Sequence, residues 1–173
     1  ADSGKQDFIG GFVVSTGFGA DTIAKKYEQE NNDYQAILIK ALADRLAEAF
    51  AEHMHKCVRT EFWGYEPTEL LSNDELIAEK YRGIRPAPGY PACPDHSEKE
   101  TLFKLLDTEN TIGVSLTESY AMFPAASVSG LYFSHPESRY FSVGKISPEQ
   151  VEDLAKRKNV KLEFLTRLLS PNL

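Results

Sequence analysis

From Asp33 to Trp63 the chain runs without a single glycine or proline. The two residue types that break helical backbone most strongly are missing there, so nothing interrupts a helix. Apolar residues recur at Ile39, Leu42, Leu46, Phe50, Met54 and Val58, in steps of three and four, the spacing of one helical face. The pattern predicts a single amphipathic helix of about 28–30 residues, roughly 40–45 Å long. In a chain of 173 residues an element of that length dominates the architecture, and the rest must pack along it. Away from the apolar stripe, Asp44, Glu48 and Glu52 recur at steps of four as an acidic ridge. Lys40 and Lys56 stand four residues beyond its ends, where they partly balance it as helix-surface pairs.

Shorter elements surround this helix. Residues 7–16 are rich in β-branched and aromatic side chains and read as a buried strand. Gly17-Phe18-Gly19 ends it, and a short helix is expected over 20–29. A loop over 64–72 leads to a helix capped by Asn73 or Asp74 and running to about Tyr81. Residues 83–96 are too rich in proline and glycine for helix or sheet. Ser97-Glu98-Lys99-Glu100 has the spacing of a capping box and opens a helix to Asp107. Strands are expected over 112–116, 126–134 and 139–145, the last two joined by a turn at His135-Pro136-Glu137-Ser138. Ser147-Pro148-Glu149-Gln150 is a second capping box, with proline at the first helical position; it starts a helix to Lys158, and a last short helix fits 161–169. No repeat or low-complexity run divides the sequence. Residues 1–173 therefore read as one α+β domain, a twisted antiparallel β-sheet flanked by helices.

Charge narrows the function classes. Lys and Arg total 19 against 26 Asp and Glu, a net charge of −7. A duplex-binding module draws its affinity from cations on phosphates, which this balance disfavours; a cationic small molecule or a basic partner suits it. Two cysteines, Cys57 and Cys93, are too few for a disulfide framework or a four-thiolate zinc site. The uncharged stretch from Phe8 to Ala20 is too short to span a bilayer, and the start lacks the basic-then-apolar pattern of a secretory signal. A cytoplasmic setting is expected.

Several constellations suggest chemistry, and most are weak. Gly17-Phe18-Gly19 sits between a strand and a helix, where a phosphate cradle would sit, but Thr22 stands where a dinucleotide fingerprint needs its third glycine. His53 and His55 point to opposite sides of a helix and cannot share a metal; His53 and Cys57 can, but make only two ligands. Cys93, Asp95 and His96 lie together with nothing to complete a set. No Gly-x-Ser-x-Gly elbow marks a hydrolase. The most informative segment is Arg85 to His96, with four prolines in 12 residues. The prolines stiffen it before any ligand arrives and remove donors while leaving carbonyl acceptors. Arg85 offers a fork for a carboxylate, Gly89 permits close approach to the backbone, and Tyr90 offers a flat face. A ligand clamp and a structural crossover both remain open on these residues alone.

Arg85-Pro86-Ala87-Pro88-Gly89-Tyr90-Pro91 resembles the signature of the activation domain of cobalamin-dependent methionine synthase, the C-terminal S-adenosylmethionine-binding domain of that enzyme. The resemblance extends along the chain in order. It includes Lys40 to Phe50 on the long helix, Leu116-Thr117-Glu118-Ser119-Tyr120-Ala121-Met122, Ala126 to Gly130, Tyr132-Phe133-Ser134-His135-Pro136, Gln150 to Asp153 and Pro171-Asn172-Leu173. It implies a role in reactivation within a methyltransferase of methionine biosynthesis. S-adenosylmethionine is presented to a cobalamin held by another domain. One electron from a flavodoxin or flavodoxin-like reductase and the sulfonium methyl then turn inactive cob(II)alamin into methylcobalamin. The task is orientation rather than proton transfer, so no side chain is assigned an acid–base role.

The resemblance also implies a site. Arg85 matches the arginine that takes the ligand carboxylate, Ala87 and Gly89 match backbone contacts, and Tyr90 matches the loop tyrosine beside the ligand. Tyr140 and Phe141 match a second contact segment. Glu48 matches a helix carboxylate near the ligand, and Asp44 an acid facing the cobalamin domain. No directly bound metal is expected. The family's domain is longer at its N-terminus and supplies a further acidic contact from there, so the chain is expected to start inside the domain. The competing expectation is a docking module for a cobalamin-domain or flavodoxin partner with no ligand of its own.

Overall fold

The computed structural model describes residues 3–173. Strand β1 (Gly10–Ser15) ends at a turn in which Gly19 takes a left-handed conformation, φ 81°, and opens helix α1 (Ala20–Gln29). A tight reversal follows. Asn32 then caps helix α2 (Asp33–Cys57) by accepting from the Gln35 N–H. The long helix forms as expected but changes pitch near its end, passing at Val58–Phe62 into a π-helical turn.

The face on which α2 packs matches the expected stripe only at its end, where Met54 and Val58 rest on the core. Ala36, Ala43, Ala47, Ala51 and His55 are buried, whereas Leu42, Leu46 and Phe50 are 49%, 59% and 38% exposed. Residues 43, 47 and 51 each lie one helical step, about 100°, from both neighbouring ridges. The leucine ridge therefore lies on one side of the buried alanines and the acidic ridge on the other. Alanine wins because its methyl group lets a backbone come close: Thr16, just past β1, donates its hydroxyl to the Ala43 carbonyl at 2.7 Å. Apolar periodicity reports side-chain size as well as burial, and here small residues face the core.

After a loop come helices α3 (Asn73–Ile77), α4 (Glu98–Leu106) and α5 (Thr108–Ile112). Strands β2 (Ser115–Leu116), β3 (Met122–Phe123) and β4 (Ser127–Tyr132) follow, then helices α6 (Pro148–Lys158) and α7 (Leu162–Leu168) and a closing 3-10 turn, Ser170–Asn172. β1 pairs antiparallel with β4, Phe12 opposite Gly130, and β2 pairs antiparallel with β3. A two-stranded sheet is marginal alone, and α2 supports the larger one. Phe12, Val14, Ala51 and Tyr132 form the core of that layer, with Phe12 stacked on Tyr132 at 4.6 Å. Val151, Ala155, Leu165 and Leu169 form a second cluster at the C-terminal helices. Among the described residues no helix is long and apolar enough to cross a membrane.

Four local expectations change. Ser72, not Asn73 or Asp74, caps α3, in a reciprocal box with Glu75, and that helix ends at Ile77. Ser97 does not cap α4: it is already helical, and its N–H and hydroxyl both donate to Asp95. Residues 139–145 form no strand; Val143 makes one backbone hydrogen bond, to the Pro91 carbonyl, and the segment is otherwise exposed. The strand expected at 112–116 shrinks to β2 because α5 takes residues up to Ile112. The Ser147–Gln150 box forms as expected.

Candidate functional site

The proline loop is laid against the edge of β4. Ile84 pairs with Phe133, and the Pro86 carbonyl accepts from the Leu131 N–H at 2.9 Å. Gly130 makes this approach possible, since a Cβ there would lie 2.9 Å from the Pro86 oxygen. The loop then folds on itself. Gly89 N–H donates to the Cys93 carbonyl, Cys93 N–H to Tyr90 and Tyr90 N–H to Ala87. With Val143 on Pro91, most of the carbonyls expected to face a ligand already accept a bond. The loop is rigid through its own ladder as well as its prolines. Gly89, at φ 96°, is required by crowding from the His96 ring rather than by an open approach.

A groove of about 290 Å³ opens between this loop and α2. Glu48, Arg85, Ala87, Tyr90, Tyr140 and Phe141 all line it, although they come from three separate segments. Gly89 and Asp44 do not line it; Asp44 stands one turn along the acidic ridge, exposed. Glu79, absent from the sequence reading, adds a second carboxylate. It sits just past α3 at φ 54°, a place no periodicity marks. Tyr90 and Phe141 are each 60% exposed, so the groove carries two aromatic rings left largely open among the described residues.

Arg85 is the most constrained of these residues. Its Nη2 pairs with Glu52, and its Nη1 donates to the Tyr81 hydroxyl at 3.0 Å and to His55 Nδ1 at 3.3 Å. Its backbone N–H donates to the Tyr140 hydroxyl at 3.0 Å. A guanidinium has five N–H groups. Three are engaged among the described residues, leaving two, the number a bidentate carboxylate takes. Burial works against the Arg85 charge, but Tyr81, Tyr140 and Glu52 outweigh it and hold its pKa above the usual value.

Beneath the groove lies a second arginine. Arg59, fully buried on the π-turn, makes a two-pronged pair with Glu69 at 2.5 and 2.7 Å. Its guanidinium stacks on the Tyr81 ring, 4.5 Å from the centroid. His55 is also fully buried, stacked on Tyr132 at 5.1 Å and edge-on to Tyr81 at 4.9 Å. Burial, then Arg59 and Arg85, push its pKa down to about 3, so the ring is neutral and its Nδ1 accepts from Arg85. Glu52, His55, Tyr81, Arg59 and Glu69 escaped the sequence reading as a set. The one signal was a histidine and an arginine on the register of the buried alanines.

The remaining candidates separate from this site. His53 Nε2 and Cys57 Sγ lie 3.6 Å apart on α2, and among the described residues no group of three or more His, Cys, Asp or Glu comes together to hold a metal ion. Asp95 is taken by Lys158 and Ser97, and Lys40 pairs with Glu28 of α1 rather than with the acidic ridge. Gly17 is a close contact with Pro124, not a cradle. A larger cavity of about 680 Å³ lies behind the loop, lined by Pro88, Cys93, Leu102, Leu131, Leu154 and Leu169 among others; none of the residues expected to hold a ligand faces it.

Comparison with known proteins bears on this groove. The family model of the vitamin B12 dependent methionine synthase activation domain matches residues 1–159. A crystal structure of the MetH reactivation domain bound to AdoHcy superposes with a TM-score of 0.96 at 57% sequence identity. The match covers 99% of this chain and 53% of that chain, so this chain spans about half the length of the solved relative.

Proposed function

The chain belongs to the family of vitamin B12-dependent methionine synthase activation domains, and from that premise we propose that it holds S-adenosylmethionine in the groove between α2 and the proline loop. The observation that carries this is the convergence of Glu48, Arg85, Ala87, Tyr90, Tyr140 and Phe141 on one groove, in a chain 57% identical to a domain solved with AdoHcy.

The chemistry of the groove suits that ligand. The two unengaged N–H groups of Arg85 take the ligand carboxylate. Glu48 and Glu79 place negative charge where a sulfonium and an ammonium would lie. The exposed faces of Tyr90 and Phe141 offer cover for a purine. The bound sulfonium supplies an activated methyl group. The chain supplies binding, orientation and exclusion of water, and its rigid loop lowers the ordering cost of doing so. A cobalamin on a separate domain as methyl acceptor, Asp44 on the outer turn of the acidic ridge as a contact to that domain, and a flavodoxin-type electron donor in the cytoplasm belong to the same proposal, as does Gly89 as a backbone contact at the loop's rear.

Calorimetry on the folded chain tests it. S-adenosylmethionine and AdoHcy are expected to bind while ATP and NAD do not, and Arg85→Ala is expected to weaken binding. A folded sample that takes up neither ligand overturns the reading and leaves the docking-module alternative.

A further inference from the structure

Tyr81 is 6% exposed, lines no part of the ligand groove and belongs to no sequence motif, yet two residues of the groove meet at its hydroxyl. The hydroxyl accepts from Arg85 Nη1 at 3.0 Å and shares a hydrogen bond of 3.2 Å with the Tyr140 hydroxyl, which in turn accepts the Arg85 backbone N–H at 3.0 Å. Residues 85 and 140 lie on different segments, and residues 139–145 have no ladder to fix them. The tie through Tyr81 supplies that registration. Glu52 completes the hold on Arg85 from α2.

Hydrogen counting fixes the direction of the tie. Each hydroxyl has one hydrogen. If Tyr140 donated to Tyr81, the buried Tyr81 hydrogen would be left without an acceptor, which is unfavourable for a buried donor. If Tyr81 donates to Tyr140, the buried Tyr81 hydroxyl is paired both as acceptor and as donor. The Tyr140 hydrogen then remains unspent on a residue that is 39% exposed and lines the groove. Burial, with the Tyr140 bond adding to it, raises the Tyr81 pKa above the ordinary tyrosine value, so the proton stays in place.

We infer that Tyr81, with Glu52, is a positioning residue for the ligand site: it aims the open N–H groups of Arg85 and turns the Tyr140 hydroxyl hydrogen into the groove, so that both meet the aminocarboxylate end of the ligand. The inference rests on the proposed function above and deepens it.

The probes are AdoHcy and 5′-methylthioadenosine, which share purine, ribose and sulfur but differ in the aminocarboxylate. The measured quantity is the ratio of their affinities in calorimetry. Wild type should prefer AdoHcy, and Arg85→Ala should abolish the preference. Tyr81→Phe, folded by circular dichroism, should lower the ratio roughly tenfold while leaving 5′-methylthioadenosine affinity near wild type. Tyr81→Phe with a wild-type ratio overturns the inference. If that variant does not fold, Glu52→Gln, on the half-exposed flank, decides in the same way. A wild-type protein without the preference, or an Arg85→Ala variant that keeps it, overturns instead the placement of the carboxylate on Arg85, and the inference falls with it.

Discussion

Two arginine–glutamate pairs stand on either side of Tyr81 and His55, and water reaches them very differently. Arg59 and Glu69 are 0% and 4% exposed and close on each other through two hydrogen bonds. Arg85 and Glu52 are 18% and 42% exposed, and Arg85 spreads its donors over three side chains. The first pair is sealed, with Nε and Nη2 of Arg59 on Glu69 and Nη1 buried without a partner among the described residues; removing one partner leaves a charge in a low dielectric. The second keeps donors in reserve and faces a groove; removing its glutamate leaves a charge that water can solvate. The same chemistry is thus sealed from water in one place and left open to a groove in the other, with burial deciding which.

The largest way to break this comparison is Glu69→Gln. It strips a buried guanidinium of its counter-charge and is expected to destabilise the fold by about 3–5 kcal/mol, read as a shift in denaturant midpoint. Loss below 1 kcal/mol would mean that Arg59 finds another partner. Next is Arg85→Ala, expected to cost about 1.5–3 kcal/mol of AdoHcy binding, as for a hydrogen-bonded charge, with a much smaller change in melting. An effect on melting as large as that of Glu69→Gln would erase the distinction between the pairs.

His55, between the two arginines, adds a pH dependence. Its folded pKa, about 3, lies below its unfolded value near 6.5. Its stabilisation is therefore complete above pH 6.5 and is lost as pH falls toward 3, where the unfolded chain binds a proton that the folded chain refuses. One such proton gives a slope of at most about 1.4 kcal/mol per pH unit. Asp95, also held below its usual range, contributes only in more acid solution. Denaturation midpoints measured from pH 7 to 4.5 should fall, and His55→Gln should reduce the slope, leaving the part that His96, also held below its usual value by burial, contributes in the same window. The smallest expected effect is that of Glu52→Gln on stability, under about 1 kcal/mol, because a half-exposed pair is screened by solvent.

Much of the fold could be read directly from the residues. A stretch without glycine or proline gave α2, capping chemistry gave the start of α6, and β-branched residues gave β1 and β4. The readings that failed share a cause. Hydrophobicity alone points to the leucine ridge as the buried face, whereas close approach of the sheet selects alanine. The spacing of Ser97 fits a cap, whereas Asp95, fixed by Lys158 across 63 residues, takes its N–H and hydroxyl instead. Residues 139–145 have strand-like composition but find only one backbone partner.

The site divides along the same line. The proline loop, its arginine and its tyrosine are local in sequence, and their stiffness and chemistry follow from residue types alone. That Glu48, Arg85 and Tyr140 would share one groove of about 290 Å³ depends on β4 delivering the loop to the flank of α2. The network of Glu52, His55, Tyr81, Arg59 and Glu69 depends further on burial, which turns ordinary surface residue types into a fixed, mutually oriented set. Sequence determined which groups the chain carries and how stiffly the loop holds its own; tertiary structure decided which were sealed from water and which were left open, because desolvation belongs to the packed whole and to no residue alone.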